Sequence, residues 1–267
     1  MVLGAALGEW LDGLTQLHFV LAVQKKRKKL QTSPQEAGLS TALANLRTDL
    51  TSILILCSKG LDVQARCLLR NYIEKVDLLI CLKYDKNLSE SYVENSSFEG
   101  SRDFFYKFIS GGKLVRRARD ILKREFPNED ILYDWLLTDW RRQTGLMLSA
   151  ASHPTHTVSL ISLFPNLGRG RSNAIGLEGH PTNGSNLTIT KAFTASMPLY
   201  FIFSDFQRDQ SVQFLEELNV STEWMDDWSK LDKLILAFTL LDTWLSDPQS
   251  ATDFSQPLAT SNGERAF

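Results

Sequence analysis

The sequence predicts an all-α protein that forms one multi-helix bundle of about six to nine helices. Apolar residues recur at spacings of three and four along most of the chain, and no extended stretch alternates polar with apolar residues. Hydrophobic residues make up 43% and charged residues 22% of the 267 positions, which is typical of a globular chain. We expect a single domain over 1–247 and a disordered tail over 248–267, which is rich in Ser, Thr, Gln and Pro.

Helix-start and helix-stop signals divide the chain into segments. The first predicted helix covers 7–31. Pro34 suits the first turn of a second helix, and Gly60 is typical of its end. A third helix is predicted over about 62–85. The further predicted helices are 88–96, 101–109, 113–125, 129–153, 188–210, 211–218 and 221–247.

Two internal segments interrupt this pattern. Residues 157–164 fit a short strand and a helical turn equally well. Residues 165–187 contain five glycines and two prolines, so we expect a long loop and the least ordered internal segment of the chain.

Composition excludes several classes of protein. The three cysteines, Cys57, Cys67 and Cys81, have no CxxC spacing and lie in apolar helical stretches. They are expected to be reduced and buried in a cytoplasmic protein, with no metal site and no cofactor. The longest uncharged stretch, 143–168, contains two prolines and two histidines, so no membrane association is expected. A net charge of -2 means that any nucleic-acid surface must be local.

Arg70 and Glu74 are the most informative charged pair. They lie one turn apart in the third helix, and Cys67, Leu78 and Cys81 interleave with them. One interpretation is an ion pair that fixes helix register. The other is a cleft in which Arg70 holds an anion and Glu74 orients it or acts as a base.

A second polar cluster lies on the predicted helix 129–153. Asp139, Arg142, Gln143 and His153 share one narrow face if the helix is continuous. His153 either caps the last carbonyls or faces Arg70 and Glu74 as an acid or base. We expect Arg70 and Glu74 to be at least partly buried, with His153 or Asp139 within roughly 4–6 Å of one of them.

Basic side chains form local patches that suit contacts with phosphates. The segment 113–125 places Arg116, Arg119 and Lys123 on one stripe, and Arg169 and Arg171 lie in the long loop. The alternative is a solvated face whose charge is neutralised by nearby acidic residues. The sequence SGGK at 110–113 lacks the upstream glycine and the following Ser or Thr of a P-loop.

The third helix and a later His-Pro helix end together resemble an uncharacterised all-helical bacterial family, a domain of unknown function. The resemblance covers 40–210 and rests on Gly60, Leu61, Ala65, Leu69, Arg70 and Glu74, followed by Ser149, Ser152, His153 and Pro154. The general layout is also similar to HEPN domains, the helical domains of many toxin and antiviral ribonucleases. Those enzymes carry an Arg shortly before a His on one helix, and His18, His153, His156 and His180 all lack such an Arg.

Three functions follow as hypotheses. The first is a helical interaction or accessory protein of a bacterial mobile-element or phage-defence system, with a protein partner or a second copy of itself. The second is a HEPN-like, metal-independent ribonuclease or toxin built on Arg70, Glu74 and His153. The third is a sensor that binds a small anion or nucleotide at the same charged cleft.

Overall fold

The protein is described by a computed structural model over residues 2–27, 32–95, 97–129, 131–152 and 183–203. Within these ranges it is helical and contains no strand, so the all-α prediction is confirmed. The segment 157–164, most of the predicted loop 165–187, the helices predicted over 211–218 and 221–247 and the tail all lie outside the described residues.

Eight α-helices are described, and two of them adjoin π-helical segments. The π-helical segment π1, Phe105–Ile109, continues the fifth helix, and a 3₁₀ turn at Ser110–Gly112 follows it. A longer segment, π2 at Ile131–Trp140, leads into the seventh helix. The α-helices are α1 Val2–Arg27, α2 Pro34–Ser58, α3 Asp62–Tyr84, α4 Lys86–Glu94, α5 Phe98–Phe104, α6 Lys113–Glu125, α7 Arg141–Ser152 and α8 Asn183–Phe203.

Both ends of α2 are set by its sequence. Ser33 accepts from the backbone N–H of Glu36, whose side chain accepts in return from the N–H of Ser33, and Pro34 occupies the first turn. At the other end Gly60 adopts φ 70°, and the next residue donates its N–H to the carbonyl of Leu56. This arrangement satisfies the last carbonyls of the helix and matches the predicted stop.

Helix α3 lies at the centre of the fold. It packs against α2 and α8, which also contact α1, and against α4, α6 and α7. Trp10 and Tyr72 are among the largest fully buried side chains of the core. The Tyr72 hydroxyl lies 2.5 Å from Oγ of Ser196 on α8, so the packing of α3 on α8 includes a buried hydrogen bond.

The first turn of α8 fits closely against α3. The Ser185 hydroxyl donates to Oδ1 of the buried Asp62 over 2.6 Å. A Cβ added at Gly184 would lie 2.5 Å from Asp62 Oδ2, so only glycine fits without a shift of this contact. In the described ranges no helix has both the length and the apolar character needed to cross a membrane.

Candidate functional site

An open cleft of about 500 Å³ lies between the middle of α3 and the segment that joins π1 to α6. Small-molecule sites have volumes in this range. The α3 wall is polar, and the opposite wall combines apolar side chains with glycine backbone. The lining residues are Arg70, Asn71, Glu74 and Asp77 on α3, with Phe105, Ile109, Ser110, Gly111, Gly112, Leu114 and Val115 opposite.

The helical repeat places the ionisable residues of the α3 wall on one face. Arg70, Glu74 and Asp77 follow one another at spacings of four and three, whereas Leu69, Ile73 and Val76 are buried in the core. The predicted common face of Arg70 and Glu74 is therefore the face that lines the cleft.

Arg70 and Glu74 form a loose ion pair at the mouth of the cleft. Nε of Arg70 lies 3.6 Å from Oε1 of Glu74, and the two side chains are 52% and 49% exposed. An exposed i,i+4 pair contributes only a few tenths of a kcal/mol, and the order Arg before Glu is the weaker orientation. The Arg70 guanidinium is therefore readily available to a stronger anionic partner.

Asp77 lies at the floor of the cleft and is paired with Arg141. Nη2 of Arg141 donates to Oδ1 of Asp77 and lies 3.5 Å from the carbonyl of Ile73. Solvent reaches only 5% of the Asp77 side chain and 12% of the Arg141 side chain. The Arg141 guanidinium also lies 5.7 Å from the ring centroid of the buried Trp140. The pair thus links α3 to α7 beneath the cleft.

Burial raises the pKa of Asp77 to about 6, and the nearby negative charge of Glu74 acts in the same direction. The Arg141 charge opposes this rise but does not cancel it. Burial also lowers the pKa of Arg141, which Asp77 and Glu74 counteract. A carboxyl that titrates near neutrality in a cleft is a recognised mark of a functional site, because it can donate or accept a proton there.

The opposite wall is shaped by a glycine pair. Gly111 and Gly112 adopt φ values of 68° and 71°, which a residue with a side chain adopts only at a cost. Gly112 precedes α6 and offers no side chain to cap it, so the backbone amides of Leu114 and Val115 receive no such bond. Gly112, Leu114 and Val115 line the cleft, so the positive end of the α6 dipole lies beside it without a capping side chain among the described residues.

Two basic side chains of α6 hold this wall in place. Arg116 donates from Nη2 to the carbonyl of Gly111 over 3.0 Å and from Nε to that of Gly112 over 3.3 Å. Lys113 donates from Nζ to the carbonyl of Tyr106 over 2.7 Å. Arg116 is exposed and its guanidinium orients the loop, while its predicted contact with phosphates stays a prediction. Of the other predicted basic contacts on α6, Arg119 is half-buried and Lys123 is exposed.

The three described members of the second predicted cluster face solvent. Asp139 pairs with Arg142 over 3.3 Å, with side chains 55% and 75% exposed, and Gln143 is exposed as well. Among the charged side chains that the structure describes in this region, Arg141 is the one that turns inward. His153, Arg169 and Arg171 lie outside the described residues. The expected contact of His153 with Arg70 or Glu74 therefore stays a prediction.

The sequence offered little to identify the pair at the floor of the cleft. Asp77 stands among apolar residues of α3, which is a signal for a buried charge that needs a partner. Nothing in its neighbourhood points to Arg141, which lies 64 positions away. In the described part of the chain, no group of three or more His, Cys, Asp or Glu side chains is arranged to hold a metal ion.

The cysteines offer no reactive thiol at the cleft. Cys57 and Cys81 are buried, and Cys67 is half-buried; all three are free. Burial raises the pKa of Cys57 to about 12 and raises that of Cys81 further. Neither buried thiol ionises near neutral pH, so neither acts as a nucleophile.

Comparison with known proteins identifies no relative: no family model, curated protein or solved structure matches the chain. The resemblance to the uncharacterised bacterial family and to HEPN domains therefore stays a prediction. The cleft between α3 and α6 is the feature from which a function can be argued.

Proposed function

We propose that the protein is a helical binding module that takes a small phosphate-bearing ligand of the nucleotide class in the cleft between α3 and α6. The observation that carries this proposal is that Arg70 and the uncapped amino end of α6 line the same cleft of about 500 Å³. Of the three functions considered from the sequence, this is the sensor of a small anion or nucleotide.

The polar groups of the cleft suit a phosphate. The first amides of a helix and a guanidinium are two of the commonest phosphate partners, since both donate hydrogen bonds and carry positive charge. Within the described part of the chain Arg70 forms just a loose ion pair with Glu74, so a phosphate can displace that contact at little cost.

The remaining lining suits the rest of a nucleotide. Phe105, Ile109 and Leu114 supply apolar surface against which a base can pack. The carboxylates of Glu74 and Asp77 can accept hydrogen bonds from ribose hydroxyls or from an exocyclic amino group. The cleft therefore combines anion recognition with acceptors that inorganic phosphate alone does not use.

The other two hypotheses remain predictions. The ribonuclease hypothesis requires His153, which lies outside the described residues. The interaction or accessory role in a mobile-element or phage-defence system concerns partners, and a ligand-binding cleft is compatible with it.

Isothermal titration calorimetry with AMP and with inorganic phosphate at low ionic strength tests the proposal. We expect AMP to bind the wild-type chain and Arg70→Ala to weaken binding about 10- to 100-fold, because a charge-assisted hydrogen bond to phosphate is lost. Folding should be unaffected, since Arg70 is half exposed.

Lys86→Ala is the matched control. Lys86 forms an exposed i,i+4 pair with Glu90 over 3.7 Å, as Arg70 does with Glu74, but it does not line the cleft. AMP affinity should be unchanged in this variant. Absence of AMP binding, or an equal loss in both variants, would rule out the cleft as the site.

A further inference from the structure

Exposed aromatic side chains lie along α5 and the start of π1, up to the cleft. Phe98, Phe105 and Tyr106 are 88%, 43% and 61% exposed. Phe98 and Phe105 are two helical turns apart, so they share a face, and Arg102 lies between them on that face. We call Phe98, Arg102, Phe105 and Tyr106 the aromatic stripe.

These rings are not part of the hydrophobic core of the bundle. The same segment places Phe104 and Phe108 in the core, each 6% exposed, while the stripe residues remain outside it. Single exposed apolar residues are ordinary, but a contiguous group of large rings marks a binding surface. Phe105 and Tyr106 lie edge to face with ring centroids 5.5 Å apart, so the group is contiguous at the cleft end.

The basic side chains around the aromatic stripe indicate which class of ligand binds to it. Residues 98–119 contain six basic and two acidic side chains, within a chain whose net charge is -2. Arg102, Lys107 and Lys113 are exposed in this segment. A local cationic surface interleaved with exposed rings suits a polyanion that carries its own aromatic groups.

The stripe and the cleft are continuous because Phe105 belongs to both. The seven-residue step from Phe98 to Phe105 covers about 10 Å at ~1.5 Å per residue, a span of about three stacked nucleotides. A phosphate held by Arg70 would therefore have room for neighbouring nucleotides whose bases stack on the exposed rings.

We infer that the ligand is single-stranded nucleic acid, with one nucleotide in the cleft and its neighbours on the aromatic stripe. This inference rests on the proposed function, since it extends the ligand of the same cleft. Bases stack on aromatic side chains regardless of sequence, and the backbone phosphates respond to the basic side chains. RNA and DNA strands share this chemistry.

Fluorescence anisotropy with labelled oligouridylate and oligothymidylate of about a dozen nucleotides tests it, alongside calorimetry with AMP. We expect the full chain to bind at least one strand more than tenfold tighter than AMP, with affinity that falls as salt rises. Phe98→Ala and Tyr106→Ala should each weaken strand binding about 5- to 100-fold and leave AMP affinity unchanged, because neither residue lines the cleft. Arg70→Ala should weaken both.

Ile55→Ala is the matched control, since Ile55 is an apolar side chain of α2 that is 57% exposed outside the stripe. Strand binding should be unchanged in it. If strands bind no tighter than AMP, or bind the two stripe variants as tightly as wild type, the inference is overturned while Arg70-dependent AMP binding still supports the proposed function. Strand binding that needs Phe98 but not Arg70 overturns the link to the cleft. No strand binding at all overturns the inference and makes a protein surface the alternative occupant.

Discussion

The carboxylate of Asp77 and the guanidinium of Arg141 form a buried ion pair at the floor of the cleft, although 64 positions separate them in the sequence. Removing one partner of such a pair leaves the other charge buried alone. The pair therefore ties the stability of the α3–α7 contact to the site.

Arg141→Met should destabilise the protein by about 3–5 kcal/mol at pH 7, because Asp77 must then either stay ionised without a partner or take up a proton in its buried position. The loss should be smaller at pH 5, where Asp77 is protonated. Urea unfolding followed by circular dichroism measures both values. Arg142→Met is the control, since the Arg142 side chain is 75% exposed, and it should change stability by less than about 0.5 kcal/mol.

Asp77→Asn should change the pH dependence of stability. The pKa of Asp77 is raised from 3.8 to about 6. As the pH falls, the folded state therefore binds this proton at a higher pH than the unfolded state does. The stability that this carboxyl contributes is fully present below pH 3.8 and is lost as pH rises through about 6. Relative to Asp77→Asn, the wild type should lose on the order of 2–3 kcal/mol between pH 4 and 7. A constant difference across that range would contradict the prediction.

His18 should have the opposite effect in the same range. Burial and the positive charge of Lys83 lower its pKa from 6.5 to about 4, against the weaker opposing effect of Glu36. The folded state therefore resists protonation, and the stability from this group is present above pH 6.5 and lost as pH falls through about 4. His18→Leu should unfold less readily on acidification than wild type, as measured by thermal melts at pH 7, 6 and 5. An identical shift of the melting temperature in both proteins would exclude His18 as the source.

Gly112→Ala should destabilise the protein by about 1–2 kcal/mol because its φ of 71° is unfavourable for a side chain. Space is not the cause, since the nearest atom to an added Cβ is Val115 Cγ1 at 3.8 Å. Gly145→Ala is a matched substitution within α7, where an added Cβ meets nothing within 4 Å. It should stabilise by about 0.5–1 kcal/mol. Equal effects of the two substitutions in denaturant melts would contradict a conformational origin.

The buried hydrogen bond between Tyr72 of α3 and Ser196 of α8 predicts which of the two side chains costs more stability when it is replaced. Ser196 donates its hydroxyl proton to the carbonyl of Ala192 over 2.9 Å, so Tyr72 is the donor in their shared bond. Tyr72→Phe removes the donor and leaves Ser196 bonded, at a cost of about 1 kcal/mol. Ser196→Ala leaves the Tyr72 hydroxyl buried without its partner and should cost more, about 1–3 kcal/mol. The reverse order in unfolding experiments would overturn this assignment.

The helices that begin and end with local signals could be predicted from the sequence. Pro34 and Gly60 bound α2 as predicted, and the range 113–125 of α6 matches the structure. These signals act within a few residues, through caps and backbone conformation, so one sequence contains them. The shared face of Arg70 and Glu74 follows from the helical repeat for the same reason.

Which face of the 129–153 region turns toward the core could not be predicted, because a continuous α-helical repeat does not apply across it. The structure instead has a π-helix at Ile131–Trp140 before α7 begins. Hydrogen bonds to the fifth residue take up more residues per turn, so side chains on either side of the segment change relative direction. Arg141 turns inward and its neighbour Arg142 outward. The cleft itself depends on contacts between distant segments, which periodicity does not encode.

Helix α3 supplies one wall of the cleft and is also the most centrally packed of the described helices. The two walls of the cleft should therefore differ in how readily they open. Its amides are covered by α2 and α8 on the core side, so their exchange with solvent deuterium requires opening of the whole bundle. The Ser110–Gly112 turn opposite has no buried residue, and its amides exchange by local opening. We therefore expect the proposed ligand to enter and leave by movement of the wall formed by Ser110–Gly112, while the wall that carries Arg70 and Asp77 keeps its shape for as long as the protein stays folded.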